Sequence, residues 1–363
     1  MKITFPHLGN TYIAAKLFFD SIGADYVIPP VSSREALKIG SMYSPEEMCL
    51  PFKIMMGNYI QAIEKGADTV LIVGSCGPCR FGEYCELQFK ILKKLGYKVN
   101  FIVLDYKEDI GKEELLRRIG SILEDSKVNN RLKIKGALRA LKSVKLMDDI
   151  EEKAHWLAGY EVKKGECKRL LNHCKKEVLL TNDPKKALSI LKTYRSELKK
   201  VKIDKNKDPL KVSIMGEIYT IIEPFSNLYI EDKLMDYGVC TKRMLTPSWW
   251  IKDAFLKSFK LNSIKLRIAS KKYLPIYIGG HARECIGEAV LSHKKGFNGA
   301  IQIFPSGCMP EIVSKAILPS IAKDENFPIM SLVMDEMSGE SGYITRIEAF
   351  LDLLERRKEK CII

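Results

Sequence analysis

The chain has 363 residues, 46% hydrophobic and 29% charged, with 59 lysines and arginines against 45 acids and a formal net charge of +14. That length suits about two domains, and the composition excludes disordered and collagen-like classes. Its apolar runs are strand-sized, as in Thr69-Val70-Leu71-Ile72-Val73, far short of the roughly 20 residues that cross a bilayer, and Met1-Lys2-Ile3-Thr4-Phe5-Pro6-His7 lacks the pattern of a signal peptide, so a cytoplasmic protein without a membrane partner is expected.

In chain order, Lys2–Pro6 reads as a short strand, Gly9-Asn10-Thr11-Tyr12 opens a helix through Phe19, and Gly23–Ile28 turns into a second strand. Ser44-Pro45-Glu46-Glu47-Met48-Cys49-Leu50-Pro51 leads into a helix through Glu64. The strand 69–73 then runs into Gly74-Ser75-Cys76-Gly77-Pro78-Cys79 and Arg80-Phe81-Gly82-Glu83-Tyr84-Cys85. Residues 126–208 form a basic helical segment holding 23 lysines and arginines against 11 acids. It suits docking of an acidic protein or a phosphorylated ligand, or a solvated lysine-rich surface. No zinc-finger spacing, aromatic RNA-binding motif or recognition helix points to nucleic acid.

After this segment the order of elements repeats. Lys211–Met215 is a strand, followed by Gly216-Glu217-Ile218-Tyr219, a helix, and a turn into Cys240 at a strand end. A strand Leu274–Gly280 is expected before His281-Ala282-Arg283-Glu284-Cys285. Then come a helix, the strand 299–305, and Ser306-Gly307-Cys308-Met309-Pro310. The acidic loop Asp335–Gly342 follows the strand Ile329–Met334. Strands alternating with helices predict an α/β protein with parallel sheets, divided as 1–125, 126–208 and 209–363, with ligands at the carboxyl ends of the strands.

Ten cysteines in a reducing compartment point to metal, cluster or redox chemistry rather than disulfides. Cys49-Leu50-Pro51 and Cys308-Met309-Pro310 share a Cys-x-Pro pattern that predicts a cysteine just before a helix with proline in its first turn. Such a position favours thiolate through the helix dipole. Cys76 and Cys79 have a spacing open to a redox dithiol, a zinc half-site or an iron–sulfur half-site. Ligands scattered over distant loops favour the cluster, to which Cys85 and Cys285 are further candidates. Cys167 and Cys174 read as buried thiols, Cys240 as a core thiol and Cys361 as incidental. No phosphate loop of the P-loop or dinucleotide type is present.

Glu47-Met48-Cys49-Leu50-Pro51-Phe52-Lys53, Gly77-Pro78-Cys79-Arg80-Phe81-Gly82, Gly216–Tyr219, Cys308-Met309-Pro310-Glu311-Ile312-Val313, Asp335-Glu336 and Thr345–Phe350 together resemble the 2-hydroxyacyl-CoA dehydratase superfamily, nearest its activase-related and double-cubane-cluster branch. The resemblance implies two Rossmann-like, flavodoxin-like domains facing one another across a cluster cleft, with the basic helices as an insertion. It also implies an iron–sulfur cluster, of the 4Fe–4S or the double-cubane 8Fe–9S type, with Cys49, Cys79 and Cys308 as its metal ligands, to which Cys76 is added by its nearness to Cys79. A separate ATP-hydrolysing iron–sulfur activator would supply low-potential electrons for reducing a small substrate, in a homo- or heterodimer. Two alternatives stay open: a dehydratase subunit that eliminates water through a ketyl radical, and a non-catalytic cluster carrier.

Overall fold

The computed structural model describes residues 1–74, 79–105, 110–124, 126, 128–257 and 261–360. The β-branched and apolar runs form two parallel sheets. The first has β1 (Ile3–Thr4), β2 (Thr69–Val73) and β3 (Asn100–Leu104) in the order β1-β2-β3, with Tyr26 bridged in parallel to Ile3 on the far side of β1. The second has β4 (Lys211–Gly216), β5 (Cys240–Arg243), β6 (Gly299–Pro305) and β7 (Ile329–Met334) in the order β5-β4-β6-β7. These are two Rossmann-like halves with the same winding. In each, the chain departs first to one side of its opening strand and then to the other. That reversal opens a crevice between the carboxyl ends of β1 and β2, and of β4 and β6, where such folds bind ligands.

Parallel strands covered on both faces read as continuous apolar runs, and β6 is buried at all seven positions. One core joins the halves: Phe52, Met56, Tyr59 and Val70 pack in the same cluster as Val212, Ile214, Ile221 and Ile301. The final helix Glu340–Lys360 closes this cluster with Ile347, Phe350 and Leu354. Helices Arg34–Tyr43 and Leu50–Glu64 touch backbone to backbone. A Cβ on Gly40 would lie 1.7 Å from the Lys53 carbonyl oxygen, and one on Gly57 1.8 Å from that of Ala36.

The basic segment contributes helices Asn130–Leu157, Glu166–Leu180 and Pro184–Lys200, the first and third capped by the side chains of Asn129 and Asp183. Their apolar faces bury Met147, Ile150, Leu171 and Leu191 with Ile13 and Leu17 of the first half and Met235 of the second. Cys167 and Cys174 are buried in this cluster. Next to it, Arg243 lies between two carboxylates, bonding Glu231 and reaching Glu151 at 2.7 Å. His155 Nδ1 is 3.0 Å from Glu231, Lys175 Nζ is 3.1 Å from Glu151, and Asn10 donates to the same carboxylate. Burial raises the pKa of Glu151, but Lys175, Arg243 and His155 outweigh it and pull the carboxyl down to about 2.

Three local expectations fail: the expected strand at 23–28 is a single-residue bridge at Tyr26, and two more differ further on. Residues 274–280 form no strand: Pro275 lacks the N–H a ladder needs, Gly279 and Gly280 take positive φ, and Ile276 and Tyr277 are exposed. Cys240 opens β5 instead of ending a strand, and its thiol donates to the Trp156 carbonyl at 3.1 Å. Among the described residues no helix is long and apolar enough to cross a membrane.

Arg243→Met should cost about 3–5 kcal/mol, because two buried carboxylates lose their shared guanidinium. Glu151 titrates lower folded than its ordinary 4.5, so its contribution is full above about pH 4.5 and is lost as pH falls toward about 2. Urea unfolding near pH 7 and near pH 3 (about these values) should show the variant losing less than the native chain on acidification.

Candidate functional site

Cys49 is the N-cap of the helix Leu50–Glu64, with Pro51 in its first turn, and Cys308 is the N-cap of the helix Met309–Asp324, with Pro310 in its first turn. Both cysteines therefore stand where the Cys-x-Pro pattern predicts. Cys79 precedes the short helical turn Arg80–Glu83. Arg80 donates from Nη1 to the Glu47 carbonyl at 2.6 Å, which ties the Cys79 segment to the approach of Cys49. The same nitrogen lies 4.0 Å from where a Cβ on Gly307 would stand, so it also meets the turn carrying Cys308. Lys53, one turn into the Cys49 helix and 2% exposed, pairs with Glu336 of the second half at 2.6 Å and donates to the Glu46 carbonyl at 2.9 Å.

Glu217 lies at the mouth of the second crevice, just past β4. Its carboxylate caps the helix Ile218–Ile222, accepting from Tyr219 N–H at 2.9 Å, Thr220 N–H at 2.8 Å and Thr220 Oγ1 at 2.7 Å. Thus fixed, its negative charge bears on Cys49, Cys79 and Cys308 together. Cys79 in turn raises the other two. Three cysteines from both halves therefore share one electrostatic environment.

That environment reverses the expected thiolate stabilisation. Burial pushes the Cys49 thiol up to about 11, against the lowering from the Tyr84 hydroxyl and the Phe52 N–H. Cys79 and Cys308 rise for the same reason, opposed by the N–H groups of Phe81 and Glu311. A helix N-terminus is worth at most about 2 kcal/mol to an anion, less than removing a thiolate from water without a counter-cation. A bound metal supplies that missing charge and deprotonates a coordinating thiol outright.

Sequence reasoning missed Tyr84, whose hydroxyl is 2.5 Å from Cys49 Sγ and whose ring packs edge-on to Phe52 at 5.0 Å. Its one signal was adjacency to Cys85: neighbours on a helix point about 100° apart, so only one of the two can meet Cys49. Tyr84 does, and Cys85 lies instead near Asp105, whose charge raises the Cys85 thiol, and near Tyr59. Cys285 stands inside a helix rather than at its end. It is fully buried in the helix Ala282–Lys294, and burial, with the nearby Glu311 carboxylate, holds its thiol well above its ordinary value. Cys76 and Cys361 lie outside the described residues.

The rim of the cleft comes from the second half. A Cβ on Gly280 would stand 2.6 Å from Pro310 Cγ, so only glycine lets the 279–281 turn close on the Cys308 helix. His281 meets the Trp249 ring at 5.9 Å, and burial lowers its pKa although Glu217 and Asp253 raise it. Arg283 stacks over Tyr277 at 4.7 Å. The acidic loop supports structure: Asp335 accepts from Met337 N–H and Ser338 Oγ, and Glu340 pairs with Lys233. Among the described residues no three His, Cys, Asp or Glu side chains are grouped to hold a single metal ion. Cluster thiolates each bind a different iron, so a cluster does not require that grouping.

At pH 8 the chelator-treated protein should alkylate Cys49 about a hundredfold more slowly than a free cysteine, since its thiol titrates at about 11 against an ordinary 9.0. Mass spectrometry of iodoacetamide-treated peptides reads this directly, and a rate equal to that of free cysteine contradicts the burial described.

The sequence profile of the CoA enzyme activase uncharacterised domain matches residues 7–72, a stretch that includes Cys49 and the Leu50–Glu64 helix. No curated protein matches the chain.

Proposed function

We propose that this chain is the iron–sulfur component of an activase-linked system of the 2-hydroxyacyl-CoA dehydratase type, with its cluster in the cleft between the two halves. One observation carries the reading: Arg80, next to Cys79, bonds the Glu47 carbonyl two residues before Cys49 and approaches Gly307 beside Cys308, so loops distant in sequence meet at one side chain. The activase-related match over residues 7–72 supports the same assignment. The donor set fits an iron–sulfur centre: three thiols, each with a nearby backbone N–H, two of them at helix N-termini. Cys76, three residues before Cys79, is the proposed fourth ligand.

When bound, such a cluster supplies one-electron transfer at low potential. The residues around it have separate tasks. Tyr84 donates a hydrogen bond to the Cys49 sulfur and fixes its direction. Arg80 and Lys53 hold the loops of the first half against those of the second. Glu217, fixed by three donors, sets its carboxylate beside the thiolates and so would favour the oxidised cluster, making the reduced one a stronger reductant. The electron source is a separate ATP-hydrolysing activator. In the dehydratase reading the substrate is a CoA thioester, which equilibrium binding of CoA to the anaerobic protein would reveal.

The test is iron and acid-labile sulfide per chain after anaerobic purification. Cys308→Ser should lose most of the iron, whereas Cys285→Ser should keep it. Equal iron in both variants removes Cys308 from the ligand set, and no iron in the native chain overturns the proposal. In a potentiometric EPR titration, Glu217→Gln should shift the cluster midpoint to a more positive potential, because a negative charge near the iron is lost. An unchanged midpoint denies Glu217 that role.

A further inference from the structure

The first half of the helix Asn130–Leu157 is packed on one side only. Gly136 rests against Ser21, where a Cβ would come within 2.8 Å of the serine Cβ, and Ser143, Val144 and Met147 are buried on the same side. Ile134, Leu138 and Leu141 point away from that core and are 61%, 60% and 49% exposed. Their steps of four and three residues place them on one stripe at heptad spacing, extended by Arg131 before and Lys145 after. In that register Lys135 and Lys142 fall at the same flanking position, one turn of the repeat apart. The sequence has no acidic residue from 126 to 147. Among the described residues, Arg131, Lys135, Arg139, Lys142 and Lys145 take part in none of the ion pairs that tie down other cations of the chain.

We propose that this face docks an amphipathic helix of a partner protein that carries carboxylates beside its own apolar stripe. The seam has the width and spacing of a helix–helix contact, and its lysine edge calls for acidic residues opposite. A second copy of this chain would set lysine against lysine. A membrane-lying helix presents a broader apolar face, about 100° or more, with aromatic residues, whereas this stripe is three aliphatic side chains wide of any aromatic. The usable length, residues 131–145, is about 22 Å, which makes the contact small, transient and salt-sensitive. The inference is independent of the iron–sulfur reading.

The probe is a synthetic three-heptad helical peptide with a leucine seam and glutamate on both flanks, its control identical but flanked by lysine. Fluorescence anisotropy with the full chain should show the glutamate peptide binding at least about tenfold more tightly than the control. Leu138→Asp, and separately Lys135→Glu with Lys142→Glu, should each weaken it about tenfold while circular dichroism stays unchanged. Equal affinity for the two peptides, or native affinity in both variants, overturns the proposal. So does a sedimenting dimer abolished by Leu138→Asp, which would assign the face to a second copy, or flotation with phosphatidylserine vesicles lost in the same variant, which would assign it to a membrane.

Discussion

Buried charge fixes how the parts of this chain meet. Arg243 is buried, so its guanidinium has to be matched by carboxylates, and the two that match it come from different regions: Glu151 from the basic helices and Glu231 from the second half. Lys175, His155 and Asn10 complete their coordination, Asn10 from the first half. Removing any part from the others would strand ions in a low dielectric, which penalises misplacement more steeply than apolar contact does. Glu223 repeats the device nearby: 1% exposed, it accepts from Gly9 N–H at 2.7 Å and lies 3.1 Å from His7 Nδ1.

These welds set the two crevices against each other. His7 and Gly9 follow β1, and the Glu223 they contact lies just beyond the Ile218–Ile222 helix that follows β4. With the halves so placed, the Lys53–Glu336 pair and the Arg80–Gly307 approach bring the cysteine-bearing loops together. There three half-buried thiols face a carboxylate held by three donors, and Arg80 is the cation that eases the ionisation of Cys79.

The basic helices divide their surface between two tasks. One side completes a core with Ile13, Leu17 and Met235 and supplies Glu151 and His155 to the ion network. The other keeps its cations and an aliphatic stripe in water. A helix whose inner face already secures it can carry such a surface without loss of fold, because packing of the inner face supplies most of its stability.

Local rules carried much of this structure. Alternating strands and helices dictated parallel α/β halves, and the repeat between Lys2–Ile28 and Lys211–Cys240 anticipated a common winding, because hydrophobic periodicity is a property of short segments. Proline two residues after Cys49 and Cys308 placed both at helix N-termini, since proline fits the first turn and little else in a helix. Local rules failed where context competes with them: Leu274–Gly280 has strand-like residues, but Pro275 and two left-handed glycines keep it out of the sheet. They were also silent on partners distant in the chain. Nothing near Cys49 announced Tyr84, and helix-end chemistry, which lowers the thiols as expected, said nothing of the burial that outweighs it. Which side chains converge, and whether water reaches them, is set by how two separately wound sheets pack. That packing rests on burial and charge pairing between residues hundreds of positions apart, which only the folded chain brings into contact.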